Sequence, residues 1–226
     1  MSDFQYFGAF LTFVTFLTAW ALQKRFRLAI LNPIFLSTVC CILILSLMGV
    51  EYEAYNQSAQ VITWFLTPAT VCLAIPLYEQ LEALKSNWRA ILSGVLGGAL
   101  SALVSIWAMC RLFGLSHTLY VTLLPKSITA AIAKPLGDGY GAIVPLTLIA
   151  IMLTGVLGNS LGAEILTLLR VKEPVARGVA LGTAAHAIGT TRALELGPVE
   201  GAMASLSLVT AGVTTVALMP LFVQLM

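Results

Sequence analysis

Apolar residues fall along the chain in long blocks divided by short charged clusters. Phe4–Leu22 is the first block and stops at Lys24, Arg25 and Arg27. Leu28–Val50 follows, with Asn32-Pro33 near its start, where proline is best tolerated in a helix, and Glu51-Tyr52-Glu53 at its end. Ala54–Tyr78 is uncharged but carries Pro68 and Pro76, and Ala90–Cys110 runs clean to Arg111. Leu112–Ala133 is interrupted by Pro125 and Lys126, and Gly141–Ala163 is clean again. Gly178–Thr191 lies between Arg177 and Arg192, and Gly201–Met226 closes the chain. Crossing the hydrocarbon of a bilayer takes about 20 residues of helix. Most blocks reach that length. Gly178–Thr191 would extend only about 21 Å at ~1.5 Å per residue, short of the ~30 Å core.

The pattern predicts an all-α polytopic transmembrane helix bundle, a single domain over residues 1–226, with about six full spans and two re-entrant or broken segments. Composition agrees: 59% of the residues are hydrophobic and 10% charged, and mean hydropathy is +0.95. A soluble domain carries about 25% charged residues, so the solvent of this chain is lipid. A net charge of +2 gives no argument for nucleic acid. Cys40, Cys41, Cys72 and Cys110 all sit in apolar blocks, without metal-binding spacing, and read as packing residues. Asp3 and the lack of a basic leader before the first block make that block a retained helix rather than a cleaved signal.

Two internal repeats compete. A shift of 113 residues pairs Thr70 with Thr183, Ala74 with Ala187, Ile75 with Ile188, Leu81 with Leu194 and Glu82 with Glu195. A second alignment, with small gaps, pairs Pro68 with Pro125, Pro76 with Pro135, and Gly94-Val95-Leu96-Gly97 with Gly155-Val156-Leu157-Gly158. The first suggests halves 1–113 and 114–226, inverted if each crosses the membrane three times. With the N-terminus outside, Lys24, Arg25, Arg27, Arg111, Arg170, Lys172, Arg177 and Arg192 then face the cytoplasm and Lys85, Arg89 and Lys134 do not. Eight full spans would instead place Lys24, Arg25, Arg27, Lys85, Arg89, Lys134 and Arg192 inside and Arg111, Arg170, Lys172 and Arg177 outside.

Candidate chemistry lies at the helix breaks, because freed backbone groups are tolerated in a membrane only where protein or water satisfies them. The first break is Thr67-Pro68-Ala69-Thr70, with Pro76 beyond it. Its hydroxyls and freed carbonyls line a polar site, or its prolines merely shape packing. The second is Pro125-Lys126-Ser127-Ile128-Thr129. Lys126 attracts an anion there, helped by Ser127 and Thr129, or it snorkels or pairs with Asp138 or Glu195. The third is Gly182–Ala193, with Thr183, His186, Gly189, Thr190 and Arg192. His186 carries a coupled proton or binds a carboxylate, or is a packed core residue. Arg192 clamps a carboxylate or marks a cytoplasmic boundary. No catalytic motif, metal cluster or cofactor fingerprint is present, so the chain reads as neither an enzyme nor a cofactor protein.

The run Pro125–Thr129, Gly155–Gly158, and Ala176–Thr190 with Arg192-Ala193-Leu194-Glu195 together resemble the LrgB/CidB family. Pro68–Val71 and Ala74–Tyr78 resemble the same family's first-half signature. The likeness extends from about residue 10 to the end. It implies a multi-pass protein of the bacterial inner membrane, working in a homo- or hetero-oligomer with a small LrgA-like partner. Two functions are attached to the family. One is an antiholin-like influence on murein hydrolase export and lysis. The other is transport of small monocarboxylates, as in the plastidial glycolate/glycerate translocator and in pyruvate uptake. A lesion former needs little more than helices that associate. A carrier needs positive charge and hydroxyls in a dehydrated pocket, which Thr67, Pro68, Thr70, Lys126, Ser127, Thr129, Thr183, His186, Gly189, Thr190 and Arg192 would supply.

Overall fold

Helix ends are set locally by proline, glycine and small polar residues. In the computed structural model, residues 6–26, 32–65, 68, 71–72 and 74–226 are described, without the side chains of 74, 76 and 77. Among them every regular element is helical. Contacts divide the chain into two compact units, Met1–Leu73 and Ala74–Met226.

The first unit holds α1 (Phe7–Phe26), α2 (Pro33–Met48) and α3 (Tyr52–Trp64). Asn32 is the N-cap of α2: its side-chain oxygen accepts from the Ile34 and Phe35 amides, and Pro33 takes the first helical position. Among the described residues the helix starts at Pro33, and its 16 residues end at Gly49 in the left-handed region; residues 28–31 of the expected span lie outside the described residues. Gly8 lets α1 approach α3, its amide donating to Ser58 Oγ at 2.9 Å. Thr12 and Tyr55 share a hydroxyl–hydroxyl bond of 2.7 Å.

The second unit holds α4 (Ala74–Glu79), α5 (Leu81–Leu112), α6 (His117–Leu123), α7 (Ala130–Asp138), α8 (Val144–Leu168), α9 (Pro174–Leu196) and α10 (Pro198–Val223). Among the described residues, α5, α8 and α10 are long and apolar enough to cross a bilayer. They run the length of the unit, α5 parallel to α10. Ile91 and Val95 pack with Val175, Ala202 and Met203 at one end. Leu103, Ile106 and Cys110 pack with Tyr120, Met219 and Phe222 at the other.

The intervening helices do not cross. In α9, Ala185 (φ −127°, ψ 18°) and His186 (φ 43°, ψ −138°) interrupt the helix. Leu181 and Ala193 would lie about 18 Å apart in a straight helix, yet they share one buried cluster. A Cβ on Gly189 would meet the Leu181 carbonyl oxygen. The chain therefore reverses at 185–186, and residues 174–184 and 187–196 form the two legs of a helical hairpin, here hairpin 2. Helices α6 and α7, joined by the non-helical turn at 124–129, form hairpin 1. Its entry and exit meet again at the start of α8: the Ile143 amide donates to Thr122 Oγ1 (2.9 Å) and Thr147 Oγ1 donates to the Thr122 carbonyl (2.9 Å).

The hairpins enter from opposite ends. Along α8, Gly162 faces Leu181 and Gly158 faces Ala185, so hairpin 2 descends from the C-terminal end of that helix. Hairpin 1 rises from its N-terminal end, and Ile128 and Ala133 pack on Ile151. Both tips meet near Ile151, whose carbonyl oxygen accepts from His186.

This arrangement corrects both charge distributions weighed from the sequence. Lys85, Arg89, Arg170, Lys172, Arg177 and Arg192 gather at one end of the unit, and Arg111 and Lys134 lie toward the other. The reason is that residues 113–143 return to the side they left instead of crossing. The positive-inside rule makes the Lys85 end the one expected to face the cytoplasm. Cysteines at Ser86 and Lys172 are therefore expected to react with an impermeant thiol reagent from the same, cytoplasmic, side. Labelling from opposite sides would overturn the hairpin reading. The division at residue 113 falls between α5 and α6, whereas the compact units divide at Leu73 and Ala74.

Candidate binding cavity

Small residues create the space. On α5, Asn87, Ala90, Gly94, Gly98, Ser101 and Ser105 repeat at intervals of three and four and so share one helix face. That face looks onto the first leg of hairpin 2, where a Cβ on Gly94 would strike Val179 and one on Gly98 would strike Thr183. Between these surfaces, Thr154 and Gly158 of α8 and the tip of hairpin 1 lies a cavity of about 830 Å³. Asn87 and Glu173 line it toward the Lys85 end, and Ser101, Ser105, Lys126 and Ser127 line it toward the Arg111 end.

Lys126 is the only cation in that lining. Its Nζ donates to Ser127 Oγ at 3.1 Å, and among the described residues no carboxylate lies within ion-pairing distance of it. Asp138 and Glu195, the partners the sequence offered, are not used. A half-buried ammonium without a counter-ion, surrounded by Ala, Gly and Val, is an electrostatic cost that an incoming anion would reduce. Thr183 adds an unmet donor: it is 6% exposed and its hydroxyl makes no hydrogen bond. An unsatisfied buried hydroxyl costs about 1–3 kcal/mol.

The other residues proposed from the sequence are placed differently. Thr129 is the N-cap of α7 and half-buried. His186 is buried and does not line the cavity; its Nε2 donates to the Ile151 carbonyl at 2.9 Å, and Thr190 Oγ1 donates to the His186 carbonyl at 2.9 Å. Gly155 makes room for that ring, because a Cβ there would lie 2.7 Å from His186 Cε1. His186 thus clamps the tip of hairpin 2 to α8 while holding a positive φ that costs about 1–3 kcal/mol in a non-glycine residue. Gly189 allows the two legs to close on each other. Arg192 is paired with Glu195 (2.8 Å) and Glu164 (3.3 Å) and stands outside the cavity lining. Pro68 is exposed in the first unit, and Thr67 and Thr70 lie outside the described residues.

Sequence reasoning missed Asn87, Ser101, Ser105, Thr154 and Glu173, all of which line the cavity. The small and polar stripe of α5 is visible in the sequence as a helical period, but it contains no helix break to mark it as a site. It also missed Asn159, whose Nδ2 donates to the Ile188 carbonyl (2.9 Å) and Thr191 Oγ1 (3.1 Å).

Three apolar helices long enough to cross a bilayer, packed with two opposed hairpins, define a helical integral membrane protein with a cavity lined mainly by small apolar residues and a few polar ones. The LrgB-like family model matches residues 12–225, nearly the whole chain, and the protein belongs to that family. No solved structure matches it.

Proposed function

We propose that the protein is a carrier, or the carrying subunit, for small monocarboxylates such as glycolate, glycerate or pyruvate in the bacterial inner membrane. The observation that carries this reading is Lys126: an ammonium with no ion-pairing carboxylate among the described residues, in a cavity walled mainly by small apolar residues and hydroxyls, with Asn87 and Glu173 toward the Lys85 end. The carboxylate would pair with Nζ, and a hydroxyl or keto oxygen on the same small acid would supply the hydrogen bond that Thr183 lacks. The cavity is much larger than one three-carbon acid, so the substrate would occupy the part beside Lys126 and water the rest. His186, held on Ile151, serves this reading as a structural clamp rather than as the proton carrier. Arg192, engaged by two carboxylates of its own chain, has no part in it.

The decisive experiment is uptake of labelled pyruvate, glycolate and glycerate into proteoliposomes holding the purified chain, with and without an LrgA-like partner. Saturable uptake that each acid competes for is the expected result. Release of entrapped dyes irrespective of size, without saturable uptake, would replace the carrier with the antiholin-like, lesion-modulating function attached to the family.

A further inference from the structure

Hydroxyls in the helices of the second unit bond back to the carbonyl one turn earlier, as Thr154, Thr167, Thr190, Ser205 and Thr210 do. Among the described residues, two buried hydroxyls do not. Thr183 is 6% exposed and Ser207 0%, and neither Oγ makes any hydrogen bond. The helix register sets them side by side. Gly178 faces Glu200 and Met203 of α10, and Gly182, one turn on, faces Ala204, so the first leg of hairpin 2 runs parallel to α10. Val179 and Met203 share a buried cluster, and Thr183 and Ser207 each follow by one helical turn. Both hydroxyls therefore stand at the level where the first leg ends. A Cβ on Gly98 would meet the Thr183 methyl, so it is the methyl and not the hydroxyl that faces α5.

That leg stops at residue 184, because the chain reverses at Ala185 and His186. The carbonyls of residues 182–184 have no amide of the same leg ahead of them, and they form the negative end of its dipole. We propose that these carbonyls, with Thr183 Oγ1 and Ser207 Oγ, bind an alkali-metal cation, for which sodium is the probe. Neutral oxygens at the C-terminal end of a half-helix inside a bundle are suited to such an ion. Calcium and magnesium call for carboxylates, and transition metals for His or Cys. The described residues hold no such group, and Glu173, the carboxylate of the cavity lining, lies toward the Lys85 end. Thr183 also lines the cavity, whereas Ser207 does not. A hydroxyl has one proton and two lone pairs. A cation held on a lone pair of Thr183 turns the proton away from itself, toward the oxygen of an acid paired with Lys126. Lys126 opposes the cation until an anion neutralises it, so acid and cation raise each other's affinity. This coupling rests on the carrier reading; the cation site does not.

The test uses the full chain purified in detergent, with no acid present. Binding of radioactive sodium is measured directly, and thermal unfolding is followed in sodium chloride and in choline chloride of equal ionic strength. The parent is expected to bind sodium saturably and to gain about 5–10 °C in Tm at a sodium concentration 100 times its dissociation constant. Ser207→Ala and Thr183→Val should each lose both signals, and Thr183→Ser should keep them. Ser207→Ala breaks no hydrogen bond of the chain, so in choline its Tm should be no lower than the parent's. It keeps the test decisive even where Thr183→Val fails to fold. Equal unfolding temperatures in the two salts, with no saturable sodium binding by the parent, would mean that the two hydroxyls hold only water and would overturn the site. So would a parental sodium shift in Ser207→Ala. Because the readout is binding, it is separate from uptake: a chain that binds sodium at this site and carries no acid would refute the proposed carrier function and leave the cation site standing.

Discussion

Exchanging Lys126 for methionine is expected to abolish saturable uptake and, at the same time, to raise the temperature at which the detergent-solubilised protein unfolds. The two effects share one cause. Nζ has a single hydrogen bond, to Ser127 at 3.1 Å, and faces a cavity walled mostly by Ala, Gly and Val. Insertion scales place the cost of a lysine deep in a membrane helix at roughly 2.5–3.5 kcal/mol. Water in the cavity screens part of that here, which leaves about 1 kcal/mol to recover and a rise of a few degrees in Tm. Methionine fits because it is unbranched, of similar length and adaptable in packing. A lysine kept for structure would behave oppositely: its removal would lower Tm, and uptake would fall only with the amount of folded protein. Lys126→Arg separates charge from shape, since guanidinium keeps the charge but changes the donor geometry. Normal uptake by Lys126→Met removes the assigned site.

Gly182→Ala is expected to be among the most damaging single-methyl additions in the chain, whereas Gly97→Ala should be harmless or stabilising. A Cβ on Gly182 would run into the Ala204 carbonyl oxygen and lie 2.7 Å from the Ala204 Cα. Those are backbone atoms of α10 and cannot rotate away, so the first leg of hairpin 2 must separate from α10. Overpacking of this kind costs typically 1–3 kcal/mol, and more where backbone must move. Gly97 meets nothing within 4 Å, so alanine there gains about 0.5–1 kcal/mol of helix preference over glycine. Thermal unfolding of the two variants followed by size-exclusion chromatography checks the pair. Equal stability would mean that α9 and α10 do not pack as described.

Membership of the membrane class was legible because lipid-facing helices must be apolar on nearly every side, and blocks such as Val144–Leu168 and Pro198–Val223 are continuous in the chain. The breaks were legible as well. Pro125 beside Lys126 marks a helix end chemically, and fourteen uncharged residues between Arg177 and Arg192 cannot reach across a bilayer. In both cases the controlling quantity, hydropathy or length, is local. Glycine-rich spacing such as Gly155–Gly158 also announced close helix contact, though not with which partner.

Tertiary structure alone decided the direction of the chain after each break. A segment too short to cross can turn back at either depth, and the reversal at Ala185–His186 depends on Gly155, Gly158 and Gly189, far apart in sequence, giving up their side-chain volume together. The end at which each charge cluster emerges follows from those reversals, which is why Lys85 and Arg170 share a side that charge counting had separated. The fate of each polar group was settled the same way. Arg192 found Glu164 and Glu195, His186 found a backbone carbonyl, and Lys126 found no carboxylate. A side chain's identity states which bonds it can make, but only the approach of other segments determines which of those bonds are made, and so which charge is left facing the cavity.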